Sequence, residues 1–379
     1  MAGYECADQM NAFGHRVDLQ TATGHNDLLA IDYQNLGLFN ISTVREGVRW
    51  SIVEKKPFEY DWSAVEKMMQ TGKECQIQQV WDLCHFGFPD DLHPLHPMFA
   101  SRFIAFCRSF ATFYRSKDKD GTLIVTPINE VSFLSWLGGV VKGTQPYCTQ
   151  QGWDVKYNLM QAYIGGIEAM KAVDPAIRIL MTEPLINIVS PGRDDDEGAR
   201  EYHESQFQVF DMMTGKLCAE LGGKPEYLDI MGFNFYFNNE WVFRVEEFLD
   251  WKLGERDPRY LSLHVLLTKA YERFHRPFIL AETSHPTIDR PLWMEMITHE
   301  CEQLLKAKLP FWGVCWYPAL NRPDWDFTEK WHYSGIWDDV YQTGISQREL
   351  NIPVADAILK SQEQLKHLIH SNVSSYARN

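Results

Sequence analysis

Residues 123–133 read LIVTPINEVSF: an apolar run that ends in the polar pair Asn129-Glu130 and is followed by further apolar residues. A short, continuously apolar run with a polar end is the signature of a strand buried on both faces. The same pattern recurs along the chain. It is seen around STVREGVRW (42–50), IQQVWDLCH (77–85), IRILMTEP (177–184), LDIMGFNFYF (228–237), PFILAETSH (277–285) and PFWGVCWYP (310–318), and GYECADQ (3–9) could be an eighth run. Between the runs lie segments of helical periodicity at 62–73, 99–116, 154–173, 199–221 and 291–308. Alternating strands and helices imply a parallel sheet, and eight such units imply an α/β fold of the (β/α)8 barrel type. An open doubly wound sheet would want a glycine-rich phosphate turn after its first strand. Neither GxGxxG nor GxxxxGK[ST] occurs.

No linker or low-complexity tract interrupts the chain, and the charge run GRDDDEGAR (192–200) reads as a solvated loop. One barrel domain over residues 1–379 is therefore expected. A length of 379 residues is compatible with that, because barrels with insertions exceed 250 residues.

In this fold the carboxyl ends of the strands carry the chemistry. Gln9, Arg45, His85, Asn129, Glu130, Glu183, Asn234, Tyr236, Glu282 and Trp316 all fall at or just past such ends. Counting strands puts Glu130 at the end of the fourth, Glu183 of the fifth, Tyr236 of the sixth and Glu282 of the seventh. The fourth and seventh strands face each other across a barrel mouth. Two carboxyl groups so placed are the equipment of a retaining glycosidase, one attacking the anomeric carbon while the other donates and later removes a proton. Arg45 and Tyr236 are the expected supports of the attacking anion.

Composition narrows the partners. A net charge of −15 with no basic block removes the footprint of a nucleic-acid binder. No apolar run is long enough to cross a bilayer, and the opening MAGYECADQM has neither a basic nor an apolar leader region, so a cytoplasmic chain is expected. The 8 cysteines are scattered without a CxxC pair, as in a reduced protein. The 13 tryptophans include Trp316 and Trp325, either of which could lie flat against a sugar face.

These motifs, in this order, resemble the retaining β-glycosidases of the (β/α)8 clan, most closely glycoside hydrolase family one, the β-glucosidase and β-galactosidase family. GYECADQ is similar to the opening strand whose glutamine binds sugar hydroxyls, implying Gln9. VREGVRW (44–50) and CHFGFPDDL (84–92) resemble the second- and third-strand motifs, implying Arg45 and His85. TPINE (126–130) matches the acid/base motif, implying Glu130 as acid/base with Asn129 on the sugar 2-hydroxyl. MGFNFYF (231–237) implies Asn234 and Tyr236, and ILAETSH (279–285) implies Glu282 as nucleophile. GVCWYPALNRPDWDF (313–327) is similar to the last strand and its sugar-gripping loop, implying Trp316, Asp324 and Trp325.

No cofactor is expected, and the expected partner is a small carbohydrate or glycoside. The chain departs from the family at Val131, where a proline follows the acid/base; at Thr283-Ser284, in place of Asn-Gly; and at Asp324, in place of glutamate. Phe86 replaces a tryptophan. Alternatives remain open: a transglycosylase, or a non-catalytic carbohydrate-binding relative, on the same barrel. Glu183, followed by the proline that Glu130 lacks, competes for the acid role and otherwise reads as a substrate contact or an ion-pair partner. His85, His93 and His96 fit no standard zinc spacing.

Overall fold

A computed structural model describes residues 1–192, 196–245, 247–252, 256–342 and 345–376. Arg193, Asp194 and Asp195, the centre of the acidic run, lie outside the described residues. Eight strands form the principal sheet: β1 (Ala2–Gly3), β2 (Thr43–Gly47), β3 (Gln78–Cys84), β4 (Ile124–Ile128), β5 (Arg178–Pro184), β6 (Ile230–Asn234), β7 (Phe278–Thr283) and β8 (Phe311–Trp316). Their hydrogen-bonding order is β1-β8-β7-β6-β5-β4-β3-β2, closed on itself. Sequential parallel neighbours joined by helices are the topology of a (β/α)8 barrel.

The parallel pairing has a fixed register, with Gly3 opposite Arg45, Arg45 opposite Val80, Cys84 opposite Ile128, and Val125 opposite Ile179. Since side chains alternate along a strand, that register decides which residues of β2, β3 and β4 share a face. The opening run GYECADQ (3–9) is strand only at Gly3: β1 covers Ala2–Gly3, and residues 4–9 continue outside any strand.

Helices span 63–74, 99–117, 152–171 and 290–306, within two residues of expectation. The segment 199–221 is different. It breaks into Glu197–Glu204, a short 3₁₀ turn at Ser205–Phe207, and Gln208–Met213, and the last piece ends there because Gly215 takes a left-handed φ of 76° that no helix interior tolerates. Helices at 25–35, 131–139, 263–274 and 352–376 complete the set relevant here. No described helix is long and apolar enough to cross a membrane.

Contacts divide the chain into two compact units. The first comprises Met1–Glu183, Gln208–Met231 and Arg322–Trp331. Its helices 99–117 and 152–171 pack closely because Gly165 and Gly166 present no side chain; a Cβ at Gly165 would come within 2.5 Å of Ile104 Cδ1. Fully buried Trp50 sits among Phe99, Phe103 and Phe106, with ring centroids 5.1–5.5 Å away. Interlocked aromatic burial of this kind stabilises the unit through the apolar area it removes from water.

The second unit comprises Pro184–Phe207, Gly232–Asn321 and His332–Asn379. Trp293 is its buried pivot, edge-on to Trp251 at 4.9 Å and stacked on Phe235 at 6.0 Å, with its indole N–H on Thr283 Oγ1 at 2.8 Å. The C-terminal helix packs on helix 290–306, where Thr298 Oγ1 donates to Ser361 Oγ at 2.6 Å.

Candidate active site

In the first unit the ends of β2 to β5 deliver a dense set of polar groups. Arg45, fully buried, places Nη2 2.5 Å from Asp82 Oδ2 and 3.1 Å from Asn129 Oδ1. The same Asp82 oxygen lies 3.1 Å from His85 Nδ1, and Asn129 Nδ2 lies 3.3 Å from His85 Nε2. Thr182 Oγ1 donates to Asn129 Oδ1 at 2.7 Å. With two donors on Oδ1, the amide of Asn129 has a single orientation, its nitrogen toward His85. Burial would raise the carboxyl of Asp82, but Arg45 and His85 outweigh it and hold Asp82 below the usual range. The anion in turn anchors the guanidinium.

Glu130 follows directly. Its backbone is left-handed, φ 48° and ψ 60°, and its N–H donates to the carbonyl of Thr182 at 3.1 Å. Helix 131–139 starts at the next residue. The carboxylate of Glu183, fully buried at the end of β5, accepts the N–H of Ser132 at 3.1 Å on Oε2 and 3.4 Å on Oε1. Burial pushes the Glu183 carboxyl up to about 7, against the pull of Ser132 and of Lys156, whose own pKa burial lowers.

Glu5 and Arg322 lie within GYECADQ and GVCWYPALNRPDWDF but are not among the residues those motifs imply. Glu5 bonds Arg322, Oε2 to Nε at 3.0 Å, and its other oxygen lies 3.7 Å from His85 Nε2. The Arg322 guanidinium sits 5.4 Å from the ring centre of Trp325, which also meets Phe86 at 5.5 Å and Phe133 at 6.1 Å. Trp325 Nε1 and Gln9 Oε1 are both buried without a hydrogen-bond partner among the described residues. Buried polar atoms are nearly always paired, so such orphans mark places where a polar ligand can bond. Asp324 has a structural duty: its Oδ1 accepts the N–H groups of Asp326 at 2.9 Å and Phe327 at 3.0 Å, shaping the turn that carries Trp325.

Cys6, Asp82 and His85 offer ligand atoms within 4.8 Å of one another, the one such group among the described residues able to hold a metal ion. Arg45 already occupies an oxygen of that carboxylate, and a guanidinium at 2.5 Å repels a divalent ion. Burial also pushes the Cys6 thiol up to about 11, opposing the thiolate a metal needs. His93 and His96 are not in the group.

The second unit holds the remaining candidates. Glu282, 4% exposed near the end of β7, accepts a hydrogen bond from Tyr236 Oη at 2.8 Å on Oε2. Asn234, the last residue of β6, is buried, and its carbonyl accepts the N–H of Leu185 at 2.9 Å and the amide of Asn239 at 3.2 Å. Asn239 Oδ1 accepts the N–H of Tyr236 at 3.0 Å, so one side chain fixes the turn from Asn234 to Tyr236. Trp316 is 2% exposed, and its indole N–H is committed to the carbonyl of Ser334 at 2.9 Å. Glu240 is a buried carboxyl outside every motif. Burial pushes it up to about 7, and Asn187 Nδ2 bonds it at 2.6 Å.

Sequence reasoning missed Glu5, Asp82 as the anchor of Arg45, Thr182 and Arg322. Asp82 alone left a signal, as a charge inside the apolar run QQVWDLC.

No sequence-family model matches the chain, and no curated protein is similar to it at sequence level. Solved structures are similar in fold. A β-glucosidase from Thermotoga maritima bound to glucoimidazole superposes with a TM-score of 0.72 at 13% identity, over 91% of this chain and 87% of the other. A hyperthermophilic β-glucosidase mutant gives 0.73 at 15% identity, covering 89% and 88%. The AHE enzyme of Alicyclobacillus herbarius gives 0.71 at 14% identity, covering 93% and 90%. At such identities the likeness establishes the barrel fold, and the chemistry rests on the residues themselves.

Proposed function

We propose that the chain is a retaining β-glycosidase of β-glucosidase or β-galactosidase type, acting as one catalytic domain. The observation that carries this reading is the hydrogen bond from Tyr236 to Glu282, which orients a buried carboxylate at the end of a barrel strand. A nucleophile at the seventh strand needs such support. The fold likeness to β-glucosidases adds to it.

In this reading Glu282 attacks the anomeric carbon of a β-linked glycoside while Glu130 protonates the departing oxygen. The glycosyl ester on Glu282 is then opened by water, from which Glu130 removes the proton, so the sugar leaves with its configuration retained. Asn129 reads the 2-hydroxyl. Its orientation, set by Arg45 and Thr182, turns the amide nitrogen toward His85 Nε2 and makes it the group that would donate to substrate. The orphan atoms of Gln9 and Trp325 supply an acceptor and a donor for further hydroxyls. Hydroxyl-rich ligands suit a site made of fixed, unspent hydrogen-bonding groups.

The test is a panel of aryl β-glycosides assayed with wild type, Glu282→Ala and Glu130→Gln. Turnover by wild type that both substitutions abolish or greatly slow supports the proposal. No turnover of any glycoside, together with measurable sugar binding, would establish the carbohydrate-binding alternative instead.

A further inference from the structure

We infer that Glu183 is a positioning residue for Glu130: from β5 it caps the helix that Glu130 opens and so holds the acid/base turn in its left-handed form. The inference rests on the reading of Glu130 as the acid/base.

A left-handed backbone at a residue other than glycine is sterically unfavourable and persists where the surroundings over-determine it. Glu130 is such a residue, and its side chain makes no capping bond to the helix it precedes. The first N–H groups of that helix need acceptors from elsewhere. Glu183 supplies one, accepting the N–H of Ser132 at 3.1 Å on Oε2. The residue before it completes the clamp. Thr182 takes the N–H of Glu130 on its carbonyl at 3.1 Å and gives its hydroxyl to Asn129 at 2.7 Å. Two consecutive residues of β5 thus bond three residues of the turn, Asn129, Glu130 and Ser132.

A carboxylate at a helix N-terminus is favoured by the partial positive charge there. Glu183 is fully buried, Lys156 lies close enough to favour its anion, and Lys156 Nζ is itself bonded to Gln208 Oε1 at 2.9 Å. The plain alternative is a buried ion pair that serves stability alone. That role predicts equal losses for all substrates, whereas displacement of the acid predicts losses that depend on the leaving group.

The experiment compares kcat/KM of the full chain for aryl β-glycosides spanning good and poor leaving groups in wild type, Glu183→Gln, Glu183→Asp and Glu130→Ala. Poor leaving groups need the proton and dinitrophenolate does not. For Glu183→Gln the expected result is a loss of about tenfold on poor leaving groups with little change for dinitrophenyl glycosides, a part of the roughly 10²–10⁴-fold that a positioned acid contributes. Glu183→Asp, which retracts the carboxylate by one methylene, steepens the same plot and serves if the glutamine variant does not fold. Equal losses across leaving groups, or none, would overturn the inference. Glu130→Ala separates the two levels: if it does not steepen the plot, the acid/base reading fails; if it does and the Glu183 variants stay parallel to wild type, only the role of Glu183 fails.

Discussion

Tyr236 Oη donates a 2.8 Å hydrogen bond to Glu282 Oε2, and the main chain of Tyr236 is itself held by Asn239. The phenol therefore reaches the carboxylate from a fixed turn. Its bond should matter most as charge leaves Glu282 on attack and returns on departure. Tyr236→Phe is expected to lower kcat by about 10- to 1,000-fold, the scale of losing one preorganised donor, while the melting temperature moves little. Steady-state kinetics and thermal melting of the purified variant check this together. Unchanged kcat would separate Tyr236 from the chemistry.

Asn129 makes a more selective prediction. If its amide reads the 2-hydroxyl, removing the amide or removing the hydroxyl deletes the same interaction. Asn129→Ala should lose about 10- to 100-fold in kcat/KM on a 2-hydroxy glycoside but far less on the 2-deoxy analogue, since coupled groups are non-additive. Additive losses in that four-cornered cycle would place the 2-hydroxyl elsewhere.

The Arg45 and Asp82 pair should prove structural as well as functional. Both side chains are fully buried, and Nη2 to Oδ2 is 2.5 Å. Arg45→Met leaves a buried carboxylate short of its cation and should cost about 3–5 kcal/mol in urea unfolding. Adding Asp82→Asn removes the stranded charge and should recover part of that loss. A double variant no more stable than Arg45→Met would contradict the assignment.

His25 gives a pH signature away from the site. It is buried between Asp32 at 2.7 Å and Glu46 at 3.0 Å; burial opposes its charge, but the carboxylates outweigh burial and raise its pKa from 6.5 to about 9. Because the folded value is the higher one, its stabilisation is complete below about 6.5 and is lost as pH rises through about 9. The slope in that window approaches about 1.4 kcal/mol per pH unit at most. Unfolding curves at pH 6.5, 8 and 9.5 should fall more steeply for wild type than for His25→Gln. Parallel pH dependence of the two would mean that His25 is neutral in the fold.

The strands were legible because buried parallel strands are continuously apolar, and their polar ends stood out against that background. Glu130 and Glu282 could be found this way from the chain alone. Helix 131–139 could not, since VSFLSWLGG is apolar all round and shows no periodic face. The link from Glu183 to Ser132 joins residues 51 apart and exists only because β4 and β5 are neighbours. The ion pair of Glu5 and Arg322 spans almost the whole chain, so neither residue signals the other in sequence. At 199–221 helical periodicity outran the helix, because one glycine conformation outweighs several well-placed apolar residues.

The central claim is that Glu282 forms a covalent bond to the sugar. A 2-deoxy-2-fluoro β-glycoside with a dinitrophenolate leaving group slows both steps and traps that ester on a retaining enzyme. Mass spectrometry of the inactivated protein followed by peptide mapping should find one glycosyl adduct per chain, on Glu282, and no adduct on Glu282→Ala. An adduct on another carboxylate, or turnover of activated glycosides by Glu282→Ala at the wild-type rate, would contradict the account.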